Sequence, residues 1–187
     1  MTLQNTSMKK LILLSGIFLL FASCKKNEAH SSLYSDADIN AKINELYTTY
    51  GKSNEAIYNQ PIPEDLFSED LKKVLEEAIN TSKADIEKVK NSDHPDEKPL
   101  IFEGALFSSL YEGFTDYKIK SVRIKNTTAE VPVAFEYNLA SPKVAWTDTI
   151  HLTNTGKRWK IDNITFDTIG NSGDLKARLK EFVKSTR

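Results

Sequence analysis

From Thr128 to Leu139 the chain alternates. Ala129, Val131, Val133, Phe135, Tyr137 and Leu139 fall on one parity, and Thr128, Glu130, Pro132, Ala134, Glu136 and Asn138 on the other. A period of two held for this long specifies a strand with one buried and one wetted face. Such a strand needs neighbours beside it and an apolar layer over one side.

The neighbours lie close by in sequence, since Tyr117 to Phe166 reads as four short strands. In the first, Tyr117 and Ile119 share one parity while Val122 and Ile124 share the other, so a bulge is expected near Lys120 and Ser121. A second slip separates Trp159 and Ile161 from Ile164 and Phe166, around Asp162 and Asn163. Bulges bend strands, and two of them predict a curved sheet. Pro132 cannot donate to a ladder and implies either a sheet edge or a third irregularity. Asn154-Thr155-Gly156-Lys157 has the composition of a hairpin turn, with Gly156 suited to positive φ.

One polar residue breaks the pattern. On the third strand Val144, Trp146, Ile150 and Leu152 share a parity, and Asp148 shares it too. Alternation therefore aims a carboxylate, beside Trp146, at the apolar side. His151 points the other way with Thr147 and Thr149 and is expected to be exposed.

The covering layer is helical. Ser35 with Asp38 has capping-box spacing, and Ile39, Ile43, Leu46, Tyr47 and Tyr50 then form one stripe closed by Gly51. Pro61 and Pro63 interrupt helix. From Ser68 as N-cap, Leu71, Val74, Leu75, Ala78, Ile79, Ile86 and Val89 mark a second helix, with a break expected near Asn80 to Ser82 and a restart capped by Ser82 and Asp85. A final helix starts from Asp174 as cap, with Leu175, Leu179, Phe182 and Val183 on one face. Leu100 to Phe107 is apolar without either period and is expected to pack over one end of the sheet.

At the N-terminus Lys9-Lys10 precedes the apolar run Leu11–Phe21, interrupted by Ser15 and Gly16 and followed by Ala22-Ser23-Cys24. These are the three parts of a secretory leader, in a run too short for the roughly twenty apolar residues that cross a bilayer. Phe21-Ala22-Ser23-Cys24 resembles a bacterial lipobox, with Phe21 where leucine is usual. By that resemblance residues 1–23 are a lipoprotein signal peptide, and Cys24 is acylated, with palmitate-type chains, as the mature N-terminus. Residues 24–35 are the anchor and a flexible tether of roughly 15–20 Å reach, and 36–187 form a single globular domain. Lys25 after the cysteine is similar to lipoproteins bound for the outer membrane.

Composition narrows the functions. The chain has one cysteine, which excludes an intramolecular disulfide and a cysteine-based zinc cluster. The formal net charge of −1 becomes more negative once Lys9 and Lys10 are set aside, so no nucleic-acid partner is expected. His94 lies among Asp93, Asp96 and Glu97, but one flexible loop does not converge ligands, and no metal or other cofactor is expected.

Tyr47 to Tyr50, Leu66 to Leu71, Pro99-Leu100 with Gly104 to Phe107, and Gly156 to Ile164 followed by Leu175 to Leu179 occur in this order. Together they resemble the lipoprotein family termed domain of unknown function 3828, over about Ile39 to Phe182. That resemblance implies the nuclear transport factor 2-like and cystatin-like superfamily: an α+β fold whose helices pack on a curved four-stranded antiparallel sheet, cone-like, with a C-terminal helix.

No activity comes with the resemblance, and no catalytic constellation is present in the sequence. The expected function is a membrane-anchored periplasmic binding module for an envelope protein or small ligand, including an inhibitor or immunity protein. The competing expectation is a small enzyme with Asp148 as general base and Tyr137 or Tyr117 as proton donor. The candidate pocket is Asp148, Trp146, Tyr137, Tyr117 and Trp159.

Overall fold

A computed structural model describes residues 35–51, 55–156, 158–169 and 173–185. Contacts divide the chain into Met1–Ser32 and a second compact unit, Leu33–Arg187, which holds all the described residues. The leader, Cys24, the tether up to residue 34 and Lys157 of the predicted turn lie outside the described residues.

The unit is α+β. Helix α1 (Asp36–Thr49) is followed by a 3-10 turn (Ile57–Asn59) and α2 (Glu69–Lys90). Strands β1 (Asp116–Ile119), β2 (Arg123–Lys125), β3 (Thr128–Tyr137), β4 (Val144–Thr155) and β5 (Arg158–Thr165) come next, and α3 (Leu175–Ser185) closes the chain. All strand pairs are antiparallel, in the order β1-β3-β4-β5, with β2 also on β3. Among the described residues no helix is long and apolar enough to cross a membrane.

The strand parities sort as alternation requires. Ala129, Val131, Val133 and Phe135 are buried with Trp146, Ile150, Leu152, Trp159, Ile161 and Ile164, in one core with the helical stripes. Thr128, Glu130 and Thr147 on the other parity are exposed. Helices α1, α2 and α3 all touch β5, and α2 also packs on α3.

The expected first strand is two strands. Tyr117–Ile119 and Ile124 pair with opposite ends of β3, and the chain leaves the ladder at Lys120 to Val122. Pro132 sits opposite that gap, where its carbonyl accepts the Lys120 amide at 2.9 Å. Its missing N–H belongs on the same side, so the interruption of the sheet and the imino acid occupy one place. The second slip is a bulge: His151 pairs with Asn163 and Leu152 with Ile161, leaving Asp162 as the extra residue. Strand β3 ends earlier than its alternation, because the chain turns toward β4 after Tyr137. Leu139, on the buried parity, is therefore 79 % exposed.

Caps set the helix starts. The Ser35 and Ser68 hydroxyls accept from the amides of Asp38 and Leu71, at 3.2 and 3.1 Å. Asp174 does the same for Ala177 at 3.0 Å. The break expected in α2 is absent: Thr81 bonds back to the Glu77 carbonyl at 2.8 Å, Ser82 is buried, and the Asp85 carboxylate accepts from the Leu100 amide at 2.6 Å. A hydroxyl that bonds within its own helix has no need to end it. The outer edge of β5 is covered, since Ser68 donates to Ile161 at 2.8 Å and Ile161 to Leu66 at 2.9 Å.

Candidate binding site

Alternation does bring Asp148 inside, where it has no solvent exposure. Its Oδ2 accepts the Ser109 amide at 2.9 Å and the Trp146 indole N–H at 3.3 Å. Its Oδ1 accepts the Asp167 amide at 3.0 Å and a short bond from the Ser109 hydroxyl. Burial pushes the carboxyl above its usual range, and the four donors offset part of that push by favouring the anion. No cation shares the site among the described residues. A carboxylate enclosed in this way orients its donors.

The other expected pocket residues are spread over the sheet. Trp146 stacks on Phe135, its register partner, with ring centroids 5.4 Å apart. Tyr117 packs on Tyr47 and Phe114 and donates its hydroxyl to the Asn44 side chain at 2.8 Å. Tyr137 is half-buried at the end of β3 opposite Val144, and Trp159 is buried opposite Asn154 on β5. None of the five lines the cavity that the fold does contain.

That cavity, of about 740 Å³, lies between the C-terminal end of α1, the 3-10 turn and the loop 101–115. Its volume is in the range of small-ligand pockets, roughly 300–1,000 Å³. The loop that walls it is built by backbone geometry. Gly104 has φ +74°, and a Cβ there would meet the Tyr111 ring at 2.5 Å. Ala105 donates to the Tyr111 carbonyl at 2.8 Å and Gly113, with φ +83°, to that of Leu110 at 3.0 Å. Gly51 closes the opposite side, where a Cβ would strike the Phe114 ring and lie 2.7 Å from the Tyr47 carbonyl. Its small size, not left-handed backbone, is what this position uses.

Aromatic rings carry the interior. Tyr50 and Phe107 have centroids 4.9 Å apart, and Phe107 stacks on Phe67 at 5.7 Å. The Tyr50 hydroxyl donates to the Pro61 carbonyl at 2.7 Å. Burial, and secondarily the Glu45 charge, pushes its pKa up to about 12, so it stays a neutral donor. Between Gly104 and Gly113 the loop tip carries Ser109, and Ser109 is what Asp148 holds. The oddity visible in β4 is thus the anchor of a wall whose other residues lie outside every periodic segment.

No group of three or more His, Cys, Asp or Glu among the described residues is placed to hold a metal ion. His151 bonds Thr165 at 2.8 Å on the wetted face of the sheet. Compared with protein-family models, curated proteins and solved structures, the chain matches none of them.

Proposed function

We propose that the chain is a lipid-anchored lipoprotein of the bacterial envelope, outer-membrane facing the periplasm, whose folded unit is a noncatalytic binding module. The observation that carries the binding half is the cavity of about 740 Å³, walled by a loop held in place by a buried carboxylate. A small ligand suits a concave aromatic site of this size better than a protein surface does. The anchor half rests on Cys24 at the end of the apolar run Leu11–Phe21.

The same reading assigns the sheet to the curved, cone-like form of the nuclear transport factor 2-like folds and the chain to the lipoprotein family it resembles. The Asp162 bulge and the gap at Lys120 to Val122 support that curvature, because each lets a strand bend. Catalysis by Asp148 has less support: a general base must reach its proton within hydrogen-bonding distance, and this carboxylate is enclosed.

Expression of the full sequence in a bacterium tests both halves. Detergent partitioning and mass spectrometry are expected to find the protein in the detergent phase, beginning at an acylated Cys24. Native mass spectrometry of that protein is expected to retain a small molecule that Tyr111→Ala releases. Protein in the aqueous phase with an unmodified thiol contradicts the anchor; a spectrum with no bound species contradicts the binding module.

A further inference from the structure

The charge of the cavity lining is one-sided. Glu55, Glu103 and Glu112 line it, and among the described residues no Lys, Arg or His does. Lys98, which bonds Glu103 at 2.8 Å, approaches from outside the lining. Glu112 makes no ion pair among the described residues. All three glutamates are exposed at the rim, so their charge costs little to keep, while the wall behind them is aromatic.

Aromatic faces attract cations through the ring quadrupole, and carboxylates at the mouth add to the same field. Tyr50, Phe102, Tyr111 and Phe114 supply the rings, and the Arg178 guanidinium already lies 5.9 Å from the Phe102 centroid. Tyr111 is the telling one: it is 57 % exposed, and it is backed by Gly104, whose missing side chain lets the ring lie against the backbone. An exposed ring packed against a glycine is a surface presented to the cavity it lines. Tyr50 cannot become an anion near neutral pH, and its buried ring packs on Phe107.

We infer that the cavity takes a small organic ammonium ion with an apolar body, the charged head at the glutamate rim and the body against Tyr50, Phe102 and Phe114. This inference rests on the binding-module reading and adds the chemical class of the ligand. An anion would be repelled at the rim, where Glu112 makes no ion pair among the described residues, and a neutral apolar molecule would gain nothing from that carboxylate.

Calorimetry on the full chain in nanodiscs of zwitterionic lipid, with empty discs as control, tests it using three probes of similar shape. These are phenethyltrimethylammonium, 3-phenylpropanol and 3-phenylpropionate. The ammonium is expected to bind at least about tenfold more tightly than the alcohol, with the carboxylate weakest, and to weaken as salt rises. The double change Glu103→Gln with Glu112→Gln is expected to abolish the preference for the ammonium while leaving the alcohol unaffected. Tyr111→Ala is expected to weaken the ammonium by about tenfold. Equal binding of all three probes overturns the ammonium assignment and leaves the binding module standing. No binding of any probe overturns both.

Discussion

Ser109 reaches Asp148 with two donors, its amide at 2.9 Å and its hydroxyl at a shorter distance, across 39 residues of sequence. The contact joins the middle of the apolar sheet face to the tip of the loop that walls the cavity. A second segment is tied to the same carboxylate through the Asp167 amide at 3.0 Å. Asp148 is therefore the point where β4, the cavity loop and the chain leaving β5 are held together.

Removing that acceptor strands buried donors. Asp148→Ala leaves the amides of Ser109 and Asp167 and the Trp146 indole N–H without a partner in a site closed to water. A loss of about 3 kcal/mol or more is expected, measured by urea denaturation, since each unsatisfied buried group costs about 1–3 kcal/mol. A loss below about 1 kcal/mol would mean that the loop finds other partners.

Asp148 and Asp174 pull the pH dependence of stability in opposite directions. Burial raises the Asp148 pKa, so the folded chain holds that proton more tightly than the unfolded one. The stabilisation from this group is complete below the usual carboxylate pKa and falls as pH rises through the raised value. Burial also acts on Asp174, but the Ala177 and Lys176 amides, Asn163 and Lys180 outweigh it and hold the pKa below its usual value. Its contribution is present above the usual carboxylate pKa and is lost as pH falls through the depressed one. Urea midpoints from about pH 3 to about pH 8 should show Asp148→Asn removing the decline toward higher pH. Asp174→Ala should flatten the acid limb and cost about 1 kcal/mol at neutral pH, as the loss of a cap.

Three glycines separate close approach from backbone strain. At Gly173, φ +87°, a Cβ meets nothing within 4 Å, so Gly173→Ala should cost only the left-handed conformation, about 1–2 kcal/mol. Gly104→Ala carries the same strain and also displaces the Tyr111 ring, and Gly51→Ala drives into Phe114 without any strain from φ. Thermal denaturation should rank Gly104→Ala below Gly173→Ala, and tyrosine fluorescence should change only for changes at 51 and 104.

Ser68 serves two elements at once. Its hydroxyl caps α2 at Leu71 and donates to Asp162 at 2.6 Å, the extra residue of the β5 bulge, which Lys176 of α3 also binds at 2.8 Å. Ser68→Ala should cost about 1–2 kcal/mol, more than an isolated cap, and Ser68→Thr should recover most of it. Urea denaturation of the two variants checks this.

Period and caps made the sheet and helices legible. The alternation of β3, the parity of Asp148, the slip at Asp162, and Ser35, Ser68 and Asp174 as caps all depend on neighbours within a few residues. What was illegible depends on distant ones. Nothing near Thr81 and Ser82 indicates that the helix continues through them, because burial of Ser82 against the rest of the core decides it. The phase change after Ile119 marks an interruption but does not distinguish a bulge from a break; Pro132, on another strand, does. The cavity is the clearest case: loop 101–115 has no period, and Ser109 lies far along the chain from the carboxylate that fixes it. The only local trace of it is a pair of glycines, Gly104 and Gly113, bracketing Tyr111.

Amide hydrogen exchange at Ser109 and Asp167 tests most directly whether Asp148 is an anchor. If it is, both amides are protected in the native protein, and Asp148→Asn speeds their exchange by about tenfold or more, with β3 and α1 unchanged. Equal exchange in the two proteins would contradict the account, because the loop would then hold the cavity wall without the carboxylate.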